Sequence, residues 1–123
     1  MDRAQFEELV RQALTDVPHE FAEKLDNVTI VVEDEPSLDQ ITRVGIGPYG
    51  LLFGLYEGVP KTKRVGGYAM VPPDKITIFQ NSIEYVCRTN DEIKERIRTT
   101  VLHEVGHHFG LSEKELRSTN FGY

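Results

Sequence analysis

The sequence predicts a small α+β domain in which helices pack on a short sheet, and three observations lead there. The chain has 123 residues, enough for one hydrophobic core and not for two, so residues 1–123 read as a single domain. Apolar residues recur at helical spacing near both ends of the chain. Between these two stretches lie three short apolar or β-branched runs bounded by proline and glycine. Helix, strand, strand, strand, helix is an order that a two-layer α+β domain satisfies.

The first helix is read from Phe6, Leu9, Val10, Ala13, Leu14 and Val17, which share one face. Asp2, with Gln5 three residues on, has the form of a capping box. Pro18 closes this helix and opens a second, short one through Phe21 and Leu25. "NVTIVVEDEP" reads as a strand stopped by Pro36. Residues 35–50, with Pro, Ser, Asp and three glycines, read as a long loop. "LLFGLYEGVP" is the second strand, weakened by Gly54 and ended by Gly58 and Pro60. A basic, glycine-rich connection leads through Pro72-Pro73-Asp74 to the third strand, "KITIFQ". The last long element is a helix from about Asn90 to Phe109, with Thr89 and Glu92 as a second capping box. Ile93, Ile97, Val101, Val105 and Phe109 recur every four residues and define its core face. After Gly110, "SEKELRS" reads as a short terminal helix.

Composition narrows the function. At 39% hydrophobic and 28% charged residues the chain is an ordinary globular sequence. A net charge of −6 argues against a nucleic-acid partner, whose phosphates need a basic face, so none is expected. Lys61, Lys63 and Arg64 cluster, which reads as a solvated loop. Cys87 is the only cysteine, so no internal disulfide can form; a buried, inert thiol is expected. "MDRAQFEELV" lacks the apolar run of a signal peptide, and no apolar stretch approaches membrane-spanning length. A cytoplasmic protein with no membrane partner is the resulting expectation.

The chemistry lies in the last helix. His103-Glu104-x-x-His107 is the pattern that holds a catalytic zinc ion when it falls on a helix. At about 100° per residue, His103 and His107 lie only about 40° apart. They flank the stripe of Ile93, Ile97 and Val101 instead of sitting in its middle, so both imidazoles can reach one ion. Glu104 is poorly placed to bind that ion but well placed to hydrogen-bond a water that the ion holds. His108 projects into the apolar stripe and reads as a hydrogen-bonded core histidine. Gly106, costly in a helix interior by ~1 kcal/mol, reads as a site of tight packing. His19 reads as a surface residue.

Two histidines do not fix a catalytic zinc, and only sixteen residues follow His107. Among them the carboxylates are Glu113 and Glu115, and no histidine lies beyond His108. Gly110 can adopt the left-handed conformation that ends a helix and reverses the chain. Glu113 then swings back under the imidazoles, giving a ligand set of His103, His107 and Glu113 for one zinc per chain.

Written out, the stretch is His-Glu-x-x-His-x-x-Gly-x-x-Glu, and it resembles the zincin metallopeptidases, specifically the compact branch with HExxHxxGxx(H/D). "GLYEGVP", "PDKITIF" and "RTTVLHEVGHHFGLSEKEL" together are similar to the minimal-zincin family of small bacterial metallopeptidases, over most of the chain from about Val28 onward. The resemblance implies a compact fold with a short mixed sheet, an N-terminal helix and a C-terminal active-site helix. Two departures stand out: glutamate occupies the position of the family's His or Asp, and no methionine follows the motif, so the methionine turn of metzincins is missing.

The implied activity is hydrolysis of peptide bonds in a peptide or protein substrate. Three protein ligands leave one zinc position open for water, whose pKa zinc lowers toward ~7. Glu104 would act as general base on that water and pass its proton to the leaving amine. Tyr68, Tyr85 and Tyr123 are candidates for a second electrophile, against an ordinary packing role for each. The strand around Leu52–Glu57 resembles the edge strand that rims a zincin cleft and could pair with an extended peptide. Two rivals have other chemistry: a zinc-binding interaction module without turnover, and a metal-dependent hydrolase of a non-peptide amide or ester. Glu104 argues against the first, because a purely structural site has no use for a base beside its ligand.

Overall fold

A computed structural model of the chain describes residues 1–26, 28–45, 50–58 and 74–108, leaving the side chains of Lys24, His107 and His108 outside that description. Helix α1 spans Arg3–Thr15. The Asp2 carboxylate accepts from the Gln5 amide at 2.8 Å, and the Gln5 side chain accepts from the Asp2 amide at 3.3 Å, so the capping box is reciprocal. Phe6, Leu9, Val10 and Ala13 form its buried face. Helix α2, His19–Lys24, follows Pro18 and buries Phe21.

Strand β1 (Val28–Glu33) runs parallel to β3 (Asp74–Phe79), and β2 (Gly54–Glu57) runs antiparallel to it on the other side. The sheet order is β1-β3-β2, a short mixed sheet with β3 in the centre. Its α+β architecture matches the sequence-based expectation. Ile76 and Ile78 of β3 are completely buried and join the core formed by α1 and the last helix.

Two helices were not foreseen. The stretch expected to be a loop over residues 35–50 contains α3, Leu38–Val44. Its caps hold it: Ser37 and Gln40 form a reciprocal capping box, and Gly45 ends it at φ 81°, a conformation that favours glycine. None of its residues is buried, which is why hydrophobic periodicity missed it. Helix α4, Gln80–Val86, continues directly from β3 and buries two polar residues, Gln80 and Ser82, alongside Ile83. The basic connection with Lys61, Lys63 and Arg64 lies outside the described residues, as does the expected terminal helix after Gly110.

The long helix is α5, Asn90–His108. Thr89 Oγ1 accepts from the Glu92 amide at 3.1 Å, as a cap should. The Glu92 carboxylate reaches one residue further back than expected, accepting from the Arg88 amide at 2.9 Å. Ile97, Val101 and Val105 have no exposed surface, and Ile93 has 5%. This face packs on α1 and the sheet, and so fixes the rotation of α5 about its axis. Among the described residues no helix is long and apolar enough to cross a membrane.

Candidate active site

The strand β2 lies against α5, and Gly54 permits the approach. A Cβ at that position would stand 2.6 Å from the Thr100 methyl and 3.1 Å from the Thr77 carbonyl oxygen. The glycine that weakens the strand as a sequence signal is what lets strand and helix touch. Between them opens a cavity of about 250 Å³. Leu51, Leu52, Phe53 and Gly54 form one wall; Arg96, Thr99, Thr100, His103 and Glu104 form the other.

The register of β2 determines which backbone groups face that helix. The Phe79 amide donates to the Phe53 carbonyl at 2.9 Å, so Phe53 and Phe79 form a hydrogen-bonded pair. Alternation along an antiparallel ladder then turns the N–H and C=O groups of Gly54 and Tyr56 away from β3. The Tyr56 N–H uses this freedom: it donates to Glu104 Oε2 over a long 3.4 Å. The edge strand thereby orients the glutamate of the motif.

His103 and Glu104 are both half-buried in the cleft wall. The backbone of α5 remains helical through His108, which keeps His107 one turn beyond His103. The His107 side chain lies outside the described residues, as do the His108 side chain, Gly110, Glu113 and Glu115. Among the described residues no three His, Cys, Asp or Glu side chains are gathered to hold a metal. The donor chemistry nevertheless fits zinc: an imidazole faces the cleft, and the helix offers a second one turn on. Gly106 is buried within α5.

Of the tyrosine candidates, Tyr85 is 81% exposed on α4, while Tyr68 and Tyr123 lie outside the described residues. His19 is exposed, with Nε2 3.0 Å from Glu23. Cys87 is half-buried, less than expected, and burial pushes its thiol pKa up against the opposing pull of Arg96.

Three residues in or beside the cleft escaped the sequence reading. Tyr56 carries the N–H that meets Glu104, and its hydroxyl donates at 2.6 Å to Asp74, a carboxylate only 7% exposed. Tyr56 pairs with Ile76, which places Asp74 diagonally across the ladder. Arg96 stacks over the Phe53 ring, with its guanidinium carbon 4.9 Å from the ring centre. A helical wheel could have found Arg96, which lies seven residues before His103 and hence on the same face. No local signal marks Tyr56 or Asp74, because their meeting depends on strand register.

A helix bearing His-Glu-x-x-His against the edge strand of a short mixed sheet defines the class of this protein. The sequence profile of zincin-like metallopeptidases matches residues 25–123, and the chain belongs to that family. Proteins of the family generally bind zinc. No curated relative matches the chain. A conserved hypothetical protein from Thermus thermophilus is similar in structure, with a TM-score of 0.54 and 22% identity over 96% of this chain and 99% of that one. At that identity the likeness concerns the fold.

Proposed function

We propose that the chain is a zinc-dependent peptidase in which His103, His107 and Glu113 hold one zinc and Glu104 is the general base. The observation that carries this reading is the setting of Glu104. Its carboxylate stands in a cleft wall beside His103 and is oriented by the outward N–H of an edge strand. Zinc, when bound, would supply Lewis acidity toward the scissile carbonyl and acidify the attacking water. Glu104 takes the proton of that water and returns it to the leaving amine. The outward backbone groups of Gly54 offer an extended peptide a place to pair.

Glu104→Gln tests the reading, with metal analysis and a mixed peptide library as the two measurements. The variant should keep about one zinc per chain and lose hydrolysis by roughly 10²- to 10⁴-fold. His103→Ala and His107→Ala should lose the zinc itself. Unchanged turnover in Glu104→Gln would reject the general base. A parent protein that retains zinc and cleaves no peptide would favour the non-catalytic module, and cleavage confined to non-peptide amides or esters would favour the other rival.

A further inference from the structure

The geometry points to Arg96 as an anion-binding subsite of the cleft, selecting peptides with an acidic side chain or terminal carboxylate about three residues from the bond that is cut. This inference rests on the peptidase reading above and adds the class of substrate.

The starting observation is how the charges near Arg96 are committed. Glu95, immediately before it, does not face it on the helix, but Glu92, four residues before it, could neutralise an arginine. The Glu92 carboxylate instead accepts from the Arg88 amide at the helix cap. Glu95 is paired with Arg98. Glu104, further along the same wall, is turned toward the Tyr56 amide. Among the described residues Arg96 therefore forms no ion pair, and its guanidinium rests on the face of Phe53. It lines a second recess together with Cys87, whose thiol is a weak and uncharged acceptor. Arg3 shows the contrast. It donates to Gln80, to the Val32 carbonyl at 2.7 Å and to Asp34, so its donors serve the fold.

Stacking on an aromatic face leaves the in-plane N–H groups of a guanidinium directed outward, where they match a carboxylate in a two-pronged bond. Phe53 belongs to the wall opposite α5, so the contact ties the guanidinium to both walls of the cavity and limits its rotamer freedom. Seven residues of helix separate Arg96 from His103, about 10 Å. An extended peptide rises about 3.3 Å per residue, so that span corresponds to about three residues. On a chain of net charge −6, a local cation offsets the repulsion that an acidic peptide would otherwise meet.

The experiment uses the zinc-loaded full chain and labelled peptides that differ only in carrying Glu, Gln or Lys at each position in turn. Binding is read by fluorescence anisotropy, and cleavage is read separately by mass spectrometry. The parent should bind the best-placed Glu peptide roughly tenfold tighter than its Gln counterpart, as a charge-assisted two-pronged bond allows. Arg96→Gln should erase that difference, Arg96→Lys should keep part of it, and Arg96→Glu should favour the Lys peptide. Equal binding of Glu and Gln peptides by the parent, or a preference that survives in Arg96→Gln, overturns the subsite. The two readings fail separately: acidic preference in binding with no bond cut removes the peptidase and leaves the subsite. Cleavage with no acidic preference removes the subsite and leaves the peptidase.

Discussion

Helix α5 carries two faces with opposite surroundings. Ile97, Val101 and Val105 on one face are fully buried against α1 and the sheet. Arg96 and His103 on the other, with Glu104 at the border between the two, line a cavity of about 250 Å³ beside β2. The apolar face supplies the energy that fixes the helix, and the polar face uses the fixed position. A ligand-bearing helix has to be rigid before two imidazoles one turn apart can share an ion. The division of labour implies that the faces can be damaged independently, and each substitution below tests that independence.

The largest effect on stability is expected from Ile97→Ala. A completely buried isoleucine truncated to alanine loses about 2–5 kcal/mol, because the site cannot collapse fully around the cavity. Chemical denaturation should show the loss. Zinc content and turnover per folded molecule should stay at the parent level below the unfolding transition. A selective fall in turnover with little loss of stability would show that the two faces are coupled.

The apolar face was also the legible one. Four-residue recurrence from Ile93 to Val105 located both the helix and its buried side, since burial of a stripe imprints directly on sequence. His103 and Glu104 stood out through their spacing, the pattern that metal chemistry would require, and both line the cavity. The opposite wall was only partly so. "LLFGLYEGVP" was recognised as a strand, yet its role depends on which amides point outward, and that parity is set by pairing with β3. A shift of one residue would turn the Tyr56 N–H toward β3 and away from Glu104. Helix α3 was lost for the opposite reason: Leu38 is 80% exposed, so it buries nothing that periodicity could detect. Its cap at Ser37 and Gln40 was present in the sequence throughout.

Gly54→Ala probes the seam between the faces. The added methyl would meet the Thr100 methyl and the Thr77 carbonyl, neither of which moves easily. Overpacking of this kind costs about 1–3 kcal/mol. It also pushes β2 off the helix, so hydrolysis should fall along with stability. Adding Thr100→Ser removes the methyl that lies 2.6 Å from the new Cβ while the contact to the Thr77 oxygen remains. The double variant should recover part of the loss. Strict additivity would mean that the Thr100 contact is not what excludes a side chain at Gly54.

The smallest effect is expected from Tyr56→Phe, and it separates the two jobs of this residue. The backbone N–H that meets Glu104 is untouched by the change. Only the hydroxyl that donates to Asp74 at 2.6 Å is lost. A hydrogen bond to a charged group contributes about 1.5–3 kcal/mol, and partial exposure of the tyrosine brings the expected loss to the lower end of that range. The ring still packs against the core, so β2 keeps its place. Turnover should therefore change by less than about tenfold, well short of the loss expected from Glu104→Gln. Equilibrium unfolding and steady-state hydrolysis on the same preparations make the comparison. If Tyr56→Phe instead abolishes hydrolysis while its stability stays close to the parent's, the hydroxyl acts on the substrate, and Tyr56 moves from positioning the cleft to performing its chemistry.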